Sequence, residues 1–365
     1  MFKRMVLGAL LAIALAVPAG AAPRSGRGGL KMGDNPNQVR GDELNNAQRE
    51  AVEKGLAWLA SRQGKNGAFG MGGAYGGGAG GHVGISALSG IAFMSAGNLP
   101  GRGKYGENVQ KVLDYILGCV QESGFIAPNS GGGEMYSHGF ATLFLAEVYG
   151  MTQDDQVKEK LRKAIQLIQR TQNREGGWRY SPAPVDADIS ITIAQVMALR
   201  AARDAGIKVE KEVIDKAIEY VKRCRCPDGG FSYTANQGGG SGFPRSAAGV
   251  AALYYAGVFE GKEVEDGLQY LVRFVPGRGG LGGEGEYHYY YGHYYAVQAM
   301  FLAGGDFWAQ WYPAIRDQLI QRQKGGGGSH WSGEAGEDYA TAMALIILQM
   351  PNRYLPVFHG KGPGS

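Results

Sequence analysis

Cysteine is scarce in this sequence, with three residues in 365, at positions 119, 224 and 226. Three thiols cannot form the disulfide framework of a small secreted scaffold. Cys224 and Cys226 form a C-x-C pair, but no further Cys or His follows at the near spacing of a zinc site. The pattern favours buried or incidental thiols over a disulfide to Cys119 or a metal ligand. No metal and no other cofactor is predicted.

Long apolar runs are also scarce. The stretch from Met5 to Val17 follows Lys3 and Arg4 and precedes the small-x-small sequence Ala19-Gly20-Ala21. It is shorter than the ~20 residues of a membrane-spanning helix and is typical of a secretory signal. We therefore predict a signal peptide over residues 1–21 and export to the periplasm or the cell exterior, without an integral span after cleavage. An uncleaved N-terminal anchor is the alternative.

Charge of one sign is not concentrated anywhere. Lys and Arg total 37 against 33 Asp and Glu, and no basic block is dense enough to argue for nucleic acid as a partner. Residues 22–42 are rich in Gly, Arg, Asn and Pro, which predicts a disordered lead-in. Residues 359–365 are predicted to form a flexible tail. Between them, residues 43–358 are predicted to form one domain.

Glycine, by contrast, is abundant, with 62 residues, and it recurs periodically. Blocks of roughly fifty residues repeat six times as a helix-like segment, a Gly-rich stretch ending in an aromatic residue, and a second apolar helix. The clearest copy runs from Ile165 to Gly206, with its aromatic residue at Trp178. The other aromatic endpoints are Phe69, Phe125, Phe231 and Trp331, and the fifth copy is degenerate around Gly279-Gly280-Leu281.

The two helices of each copy differ in character. The first carries apolar residues at helical spacing, such as Ile165 and Ile168, with charges on its other face, which predicts an outer helix. The second is apolar on nearly every face, which predicts burial on all sides. Six outer and six inner helices in alternation predict an all-α fold, an (α/α)6 toroid. A linear solenoid is the alternative, but it would need polar capping repeats.

A toroid would direct six inner-helix N-termini at one mouth, where unpaired amides and helix dipoles favour anions or polarised oxygens. Aligning the apolar cores places these residues at one equivalent position: Ser86, His138, Thr192, Ser246, His293 and Asp338. Within one turn before it lie His82, Asp188, Arg245 and Glu337. Such a set facing one cavity indicates a functional site, but Ser, Thr and Asp at helix starts are also ordinary N-caps. Capping is the favoured interpretation for Asp188, Thr192 and Ser246, while both interpretations stay open for His138 and His293.

The fifth copy is unusual because six tyrosines and two histidines fall between Glu284 and Tyr295. Tyrosine suits a position that is apolar at one end and wet at the other. Stacking on a sugar, contact with a cationic ligand and simple filling of space would all use it. We predict that part of this run, namely Glu286, Tyr290, Tyr291 and Tyr294, lines a ligand cavity.

The loop that ends at Trp178 carries a recognisable motif. Gln172, Gly176 and Trp178 match the Q-x-x-x-G-x-W motif of the prenyltransferase and squalene-cyclase repeat superfamily. Further partial matches are Gln63, Gly67 and Phe69, then Gln323 and Trp331, then Gly229-Gly230-Phe231. The chain resembles this superfamily from about Glu43 to Phe358. The resemblance implies the toroid but little chemistry, because cyclases, protein prenyltransferases and thioester-containing complement domains share the fold.

The active-site signatures of that superfamily are incomplete here. Squalene–hopene cyclases use a D-x-D-D general acid, for which Asp186 and Asp188 supply the first two acids while Ile189 replaces the last. His293 and Asp338 lie near positions of the zinc triad of protein prenyltransferases, but no cysteine stands at the start of an inner helix. The C-G-E-Q thioester sequence is absent. The chain thus resembles the compact exported branch of the superfamily.

Three functions follow as hypotheses. The leading one is an exported repeat protein whose central cavity binds or acts on an isoprenoid-like ligand, with enzyme activity left open. In it the catalytic residues are Asp188, His293 and Asp338, and the ligand-binding residues are His82, His138, Arg245, Glu286, Tyr290, Tyr291 and Tyr294. The alternatives are a toroid that binds or cleaves glycans and a non-catalytic scaffold. The predicted partner is accordingly a small hydrophobic or sugar ligand.

Overall fold

The computed structural model describes residues 30–33, 43–71, 78, 80–128, 134–235, 239–277, 287–324 and 328–359. Over these ranges the chain forms twelve α-helices and two 3-10 turns, with isolated β-bridges and no longer strand. The all-α prediction is confirmed. The predicted signal peptide, most of the lead-in and all but the first residue of the tail lie outside the described residues. No helix in the described ranges has the length and apolar character needed to cross a membrane.

The odd-numbered helices form the outer layer. In α5 (Asp155–Arg170), the side chains of Val157, Leu161 and Ile165 are buried on one face while the charged residues face solvent. Asp154 caps this helix by accepting hydrogen bonds from the N–H groups of Gln156 and Val157. The outer helices are α1 (Asn46–Ser61), α3 (Gly106–Cys119), α5 (Asp155–Arg170), α7 (Lys211–Arg223), α9 (Lys262–Val272) and α11 (Gly305–Arg322).

The even-numbered helices form the inner layer, where every residue of α2 is buried. Each inner helix packs against the inner helices before and after it, and α12 packs against α2, which closes the ring. The predicted toroid is therefore confirmed. The inner helices are α2 (Val83–Met94), α4 (Met135–Thr152), α6 (Ile189–Asp204), α8 (Phe243–Ala256), α10 (Tyr289–Ala303) and α12 (Glu337–Gln349).

Side-chain hydrogen bonds tie Gly-rich loops of the described ranges to the next outer helix. Gln172 Nε2 donates to the carbonyl of Gly176 (2.9 Å) and to that of Val213 in α7 (2.8 Å). Gln323 Nε2 donates to the carbonyl of Ala51 in α1 (2.8 Å), which joins the last hairpin to the first. The loops approach these helices so closely that only glycine fits: a Cβ on Gly176, whose φ is +96°, would lie 2.1 Å from the neighbouring Lys216 carbonyl oxygen.

A second set of hydrogen bonds joins five of the loops to their own inner helices. The backbone amides of Phe69, Ile126, Trp178, Phe231 and Trp331 donate to side chains of Ser86, His138, Thr192, Ser246 and Thr341, respectively. Two predicted alignments are therefore wrong. The equivalent residue in the sixth copy is Thr341 rather than Asp338, and the buried end of the second loop is Ile126 rather than Phe125.

The inner helices all run away from the Gly-rich loops, so the ring has a loop end, called here the mouth, and a far end. The far end is sealed by the segment after α12, which forms two 3-10 turns at Met350–Asn352 and Pro356–Phe358. Leu355, Val357 and Phe358 are buried there, and the second turn packs against α6. The Val357 amide donates to Glu147 Oε1 in α4 at 3.2 Å.

Candidate functional site at the mouth of the ring

Asp188 is the N-cap of α6 at the mouth. Its Oδ1 accepts hydrogen bonds from the backbone N–H of Ser190 (2.9 Å) and Ile191 (2.8 Å), as the capping interpretation predicted. The side chain is 0% exposed. Its other oxygen, Oδ2, lies 3.5 Å from Nε of Arg179. Oδ1 is thus occupied by helix amides, and Oδ2 is buried beside Arg179.

Burial raises the pKa of the Asp188 carboxyl group to about 6. The Ile191 amide, the Tyr233 hydroxyl and the Arg179 guanidinium each act in the opposite direction by favouring the carboxylate, but burial outweighs them. A carboxyl group with this pKa populates both protonation states near neutral pH. That property is what a general acid or base requires, and it makes Asp188 a candidate for proton transfer.

Arg179 and two tyrosines surround this carboxyl group. Nη1 of Arg179 donates to Asp186 Oδ2 at 2.9 Å, so the guanidinium contacts both Asp186 and Asp188. The same guanidinium lies over the rings of Tyr180 (5.6 Å) and Tyr233 (5.7 Å). The two phenol hydroxyls are hydrogen-bonded to each other at 2.7 Å. We call Asp188, Arg179, Tyr180 and Tyr233 the Asp188 cluster.

Two further tyrosines form a floor beneath the mouth. The ring of Tyr136 in α4 is 6.2 Å from that of Tyr180 and 6.3 Å from that of Tyr291 in α10. The Tyr291 hydroxyl donates to the Ser190 carbonyl at 3.4 Å, which connects this floor to the first turn of α6. Burial holds the pKa of both phenols well above the ordinary value, so they are neutral hydrogen-bonding groups.

The axis below the floor is filled by side chains. Helices α4 and α10 stand opposite each other in the ring, yet Phe140 of α4 and Tyr294 of α10 meet edge to face with centroids 6.1 Å apart. Tyr294 and Tyr295 are fully buried. A ligand would therefore meet the molecule above Tyr136 and Tyr291, at the mouth.

The other predicted ligand-binding residues lie apart from this cluster. The Tyr290 hydroxyl donates to the carbonyl of Ser332, in the loop before α12 (3.1 Å). His82 caps α2 through Nδ1, and burial lowers its pKa. Arg245 donates to the Ser241 carbonyl (2.9 Å) within its own hairpin. Glu286 lies outside the described residues. Among the predicted ligand-binding residues, Tyr291 lies nearest to Asp188 through its hydrogen bond to the Ser190 carbonyl in the first turn of α6.

His138 and His293 lie in the core. His138 accepts the Ile126 amide through Nδ1, and burial lowers its pKa to about 3, so it is a neutral structural link. The ring of His293 packs against Tyr289, Phe243 and Trp311, with centroids 4.4, 4.9 and 5.7 Å away. These contacts place it on the outer side of α10, toward α11.

Asp338 joins the last hairpin to the first. Its Oδ1 accepts from Arg62 Nε at 3.2 Å and its Oδ2 accepts from the Gly70 amide at 2.9 Å. These contacts account for both carboxylate oxygens. Asp338 thus closes the ring rather than joining the Asp188 cluster.

In the described part of the chain, no three His, Cys, Asp or Glu side chains are placed to hold a metal ion. All three cysteines are free thiols. Cys119 and Cys224 are buried, and burial raises the pKa of Cys224 to about 12. The two buried thiols are therefore protonated at neutral pH.

Arg179, Tyr180, Tyr136 and Tyr233 were missed by the sequence analysis. A signal for two of them was present, because Tyr180 follows Trp178 by two residues and Tyr233 follows Phe231 by the same offset. Extending the repeat alignment past the loop aromatic would have paired them. Tyr136 carried no such signal, since its role depends on a contact across the ring.

The family model described as the prenyltransferase alpha-alpha toroid domain matches residues 42–348. The chain belongs to this family. No curated protein matches this toroid protein.

Several solved structures are similar to the toroid. A cellobiose 2-epimerase from Spirochaeta thermophila has a TM-score of 0.63 at 12% identity, covering 86% of this chain and 98% of that one. An α-1,6-mannanase from Salegentibacter has a TM-score of 0.61 at 12% identity, covering 84% and 99%. A type II terpene cyclase from Scytonema, in complex with geranylgeranyl dihydroxybenzoate, has a TM-score of 0.59 at 12% identity, covering 85% and 98%. At such identity these similarities show the shared fold alone.

Proposed function

We propose that this toroid protein binds a carbohydrate at its mouth and that Asp188 is the proton-exchanging group of the site. The observation that carries the proposal is the closure of the axis between α4 and α10 by Phe140 and Tyr294 above the sealed far end. A ligand at the mouth meets phenol rings, hydroxyls, a guanidinium and a carboxyl group rather than a deep apolar chamber.

This combination of groups suits a sugar. The faces of Tyr180 and Tyr136 offer apolar surface for the C–H groups of a pyranose ring, and their hydroxyls offer hydrogen bonds to its oxygens. Arg179 adds fixed donors beside the carboxyl group. Tyr180 is 41% exposed, so one of these rings is directly available to a ligand.

Asp188 would act through Oδ2. In its protonated form it gives a proton to a departing sugar oxygen, and in its ionised form it accepts a proton from a hydroxyl group or water. Arg179 stabilises the carboxylate that remains after proton donation. The pKa of about 6 allows both forms to be present near neutral pH.

Two structural relatives support the suitability of the fold for sugars. One similar structure is an α-1,6-mannanase variant in complex with α-1,6-mannotriose, and another is a cellobiose 2-epimerase. The predicted export of this chain would bring its mouth into contact with extracellular polysaccharides. One argument remains for the isoprenoid hypothesis: Asp186 and Asp188 match two of the three acids of the cyclase D-x-D-D motif, and a terpene cyclase shares the fold.

The test is a binding panel on the purified protein with α-1,6-mannotriose, cellobiose and geranylgeranyl diphosphate, read by thermal unfolding. A sugar present at one hundred times its dissociation constant should add about 2.7 kcal/mol to the free energy of unfolding. Tyr180→Ala should weaken that effect. A shift produced by geranylgeranyl diphosphate and by neither sugar would contradict the proposal and favour the isoprenoid hypothesis.

The proton-transfer role needs a variant that keeps the helix cap. Asp188→Asn qualifies because asparagine caps helices about as well as aspartate. Asp154→Asn is the matched control, since Asp154 caps α5 with the same pair of hydrogen bonds on the outside of the ring. If the protein cleaves or rearranges a sugar, Asp188→Asn abolishes turnover and Asp154→Asn does not. Equal turnover in the two variants would remove Asp188 from the mechanism.

A further inference from the structure

His288, directly before α10, has a backbone conformation that is unusual for its place. Among the described residues, three that are not glycine have a positive φ, namely Gln153, His288 and Arg353. Gln153 and Arg353 follow the last turn of a helix, where the left-handed conformation is a common ending. His288, with φ of +65°, instead precedes the first turn of α10, where extended backbone is usual. Such a conformation persists only where surrounding contacts hold it.

Glu334 supplies those contacts. Its Oε2 accepts the backbone N–H of His288 at 3.1 Å, and its Oε1 is 2.6 Å from Nδ1 of the same residue. One carboxylate therefore binds both the main chain and the ring of His288. This arrangement fixes the orientation of the imidazole, unlike an ordinary surface ion pair between two flexible side chains.

The loop that carries Glu334 is itself held against α10. The Tyr290 hydroxyl donates to the Ser332 carbonyl at 3.1 Å. Gly333 lies so close to the Tyr290 ring that a Cβ there would be 2.8 Å from Cε2. Glu334 is thus positioned by its two predecessors in the chain, and the pair with His288 is built into the packing of α10 against the loop before α12.

The pairing determines which ring nitrogen carries the proton. An ionised carboxylate only accepts hydrogen bonds, so Nδ1 of His288 must be the protonated nitrogen. In the neutral ring Nε2 then carries a lone pair. His288 has a side chain that is 46% exposed, and Nε2 makes no hydrogen bond with any residue of the described ranges. Its ring centroid is 6.3 Å from that of Tyr291, which forms the floor of the mouth beside Ser190.

We propose that His288, held by Glu334, is a second proton-accepting group of the mouth, acting on the ligand alongside Asp188. This inference rests on the carbohydrate site proposed above. Nε2 takes the proton of a water molecule or a sugar hydroxyl as its oxygen attacks the sugar carbon, and Asp188 gives its proton to the oxygen that leaves that carbon. One C–O bond forms, one breaks, and the imidazolium so produced is stabilised by the carboxylate of Glu334. Solvent then restores both groups to their starting protonation.

The first experiment needs no ligand. Side-chain ¹H–¹⁵N spectra at pH 8, where an ordinary imidazole is neutral, should show His288 protonated at Nδ1, with the signal assigned by its loss in His288→Gln. Glu334→Gln should lose this single tautomer, because the amide replaces one of the two accepting oxygens with an NH2 group, which donates and cannot accept from Nδ1 or from the backbone N–H. The control is Glu337→Gln. Glu337 pairs with another histidine, with 3.5 Å between its Oε1 and Nε2 of His330, so its replacement should leave the His288 signal unchanged. A ring protonated at Nε2, or a wild-type signal in Glu334→Gln, would overturn the inference.

The second experiment uses whichever of α-1,6-mannotriose or cellobiose binds. His288→Gln and Glu334→Gln should lower affinity or turnover by about ten-fold or more, whereas Glu159→Gln, on the exposed face of the outer helix α5, should change neither. If a sugar binds the wild type and His288→Gln alike and turnover is equal, the role of His288 fails while the carbohydrate proposal stands. If neither sugar binds the wild type, the carbohydrate proposal fails, and the tautomer alone decides whether His288 is held as a proton acceptor.

Discussion

The mouth and the far end of the ring each contain one buried carboxyl group with a raised pKa, but the two groups differ in what surrounds them. At the mouth, Asp188 (pKa about 6) lies beside Arg179 and tyrosines that are partly exposed. At the far end, Glu147 (pKa about 8) accepts one amide, that of Val357, and lies near Asp204. Burial is the main cause of both shifts. A raised pKa therefore reports burial in both cases, and the two groups differ in what covers them: Arg179 and the partly exposed Tyr180 at the mouth, and the packed segment Met350–Phe358 at the far end.

The largest expected difference between the ends is in turnover. If the protein acts on a sugar, Asp188→Asn should lower kcat/KM by about 10²–10⁴-fold, the range for loss of a general acid or base. Glu147→Gln should leave kcat/KM unchanged, because Glu147 is sealed behind Met350–Phe358. Steady-state kinetics of both variants measures the difference. An equal loss in Glu147→Gln would show that the two ends are functionally coupled.

The next difference is in stability. Leu355→Ala at the sealed far end should lower the free energy of unfolding by about 2–5 kcal/mol, because it leaves a cavity in packed core. Tyr180→Ala at the mouth should lower it by about 1 kcal/mol or less, because its ring is partly solvated. Urea denaturation of both variants tests this. If Tyr180→Ala were as destabilising as Leu355→Ala, the Tyr180 ring would have to be part of the packed core, contrary to this prediction.

The pH dependence of stability separates the two carboxyl groups. The folded protein holds the Glu147 proton up to a pKa of about 8, whereas the unfolded chain releases it near 4.5. The contribution of Glu147 is therefore present below pH 4.5 and is lost as pH rises toward 8, with a slope of at most about 1.4 kcal/mol per pH unit. Asp188 contributes in the same direction, but only between pH 3.8 and about 6.

Denaturation between pH 7 and 8 therefore reports mainly on Glu147, because the contribution of Asp188 ends near pH 6 and that of His138, whose pKa is about 3 in the folded protein and 6.5 in the unfolded chain, changes mainly below pH 7. Glu147→Gln, which resembles the protonated acid, should flatten the dependence in that window, and Asp188→Asn should not. An unchanged slope in Glu147→Gln would mean that the carboxylate of Glu147 reaches water in the folded protein.

The smallest difference concerns single hydroxyl groups. Tyr312→Phe removes a buried hydrogen bond to the Leu348 carbonyl (2.8 Å) near the far end and should destabilise the fold by about 1–1.5 kcal/mol. Tyr180→Phe removes a partly solvated bond to the Tyr233 hydroxyl, so water replaces much of it, and the loss should be about 0.5 kcal/mol or less. Thermal unfolding of the pair is sufficient. The opposite order would indicate that the tyrosine pair at the mouth is a structural element.

The helical periodicity, the repeat and the capping role of Asp188 were all available from the sequence, because each depends on residues within a few positions of one another. The site was only partly available. His293 and Asp338 lie near the mouth ends of their helices, as predicted, but neither side chain joins the Asp188 cluster. His293 faces the outer layer, and Asp338 faces the first hairpin. Tyr136 and Tyr291 come from helices on opposite sides of the ring, and no local pattern relates them.

The sequence by itself thus determined the number, type and order of the helices, and with them the toroid, since apolar periodicity and glycine positions are local properties that packing then reinforces. Only the tertiary structure decided which polar side chains share a space. Successive residues of a helix point in directions about 100° apart, so an alignment error of a few residues leaves the helix in place but selects the wrong side chain. Thr341 binds the loop of its own hairpin, whereas Asp338, three residues earlier, binds the first hairpin. The closure of the axis depends on the distance between opposite helices, which is set by the ring as a whole.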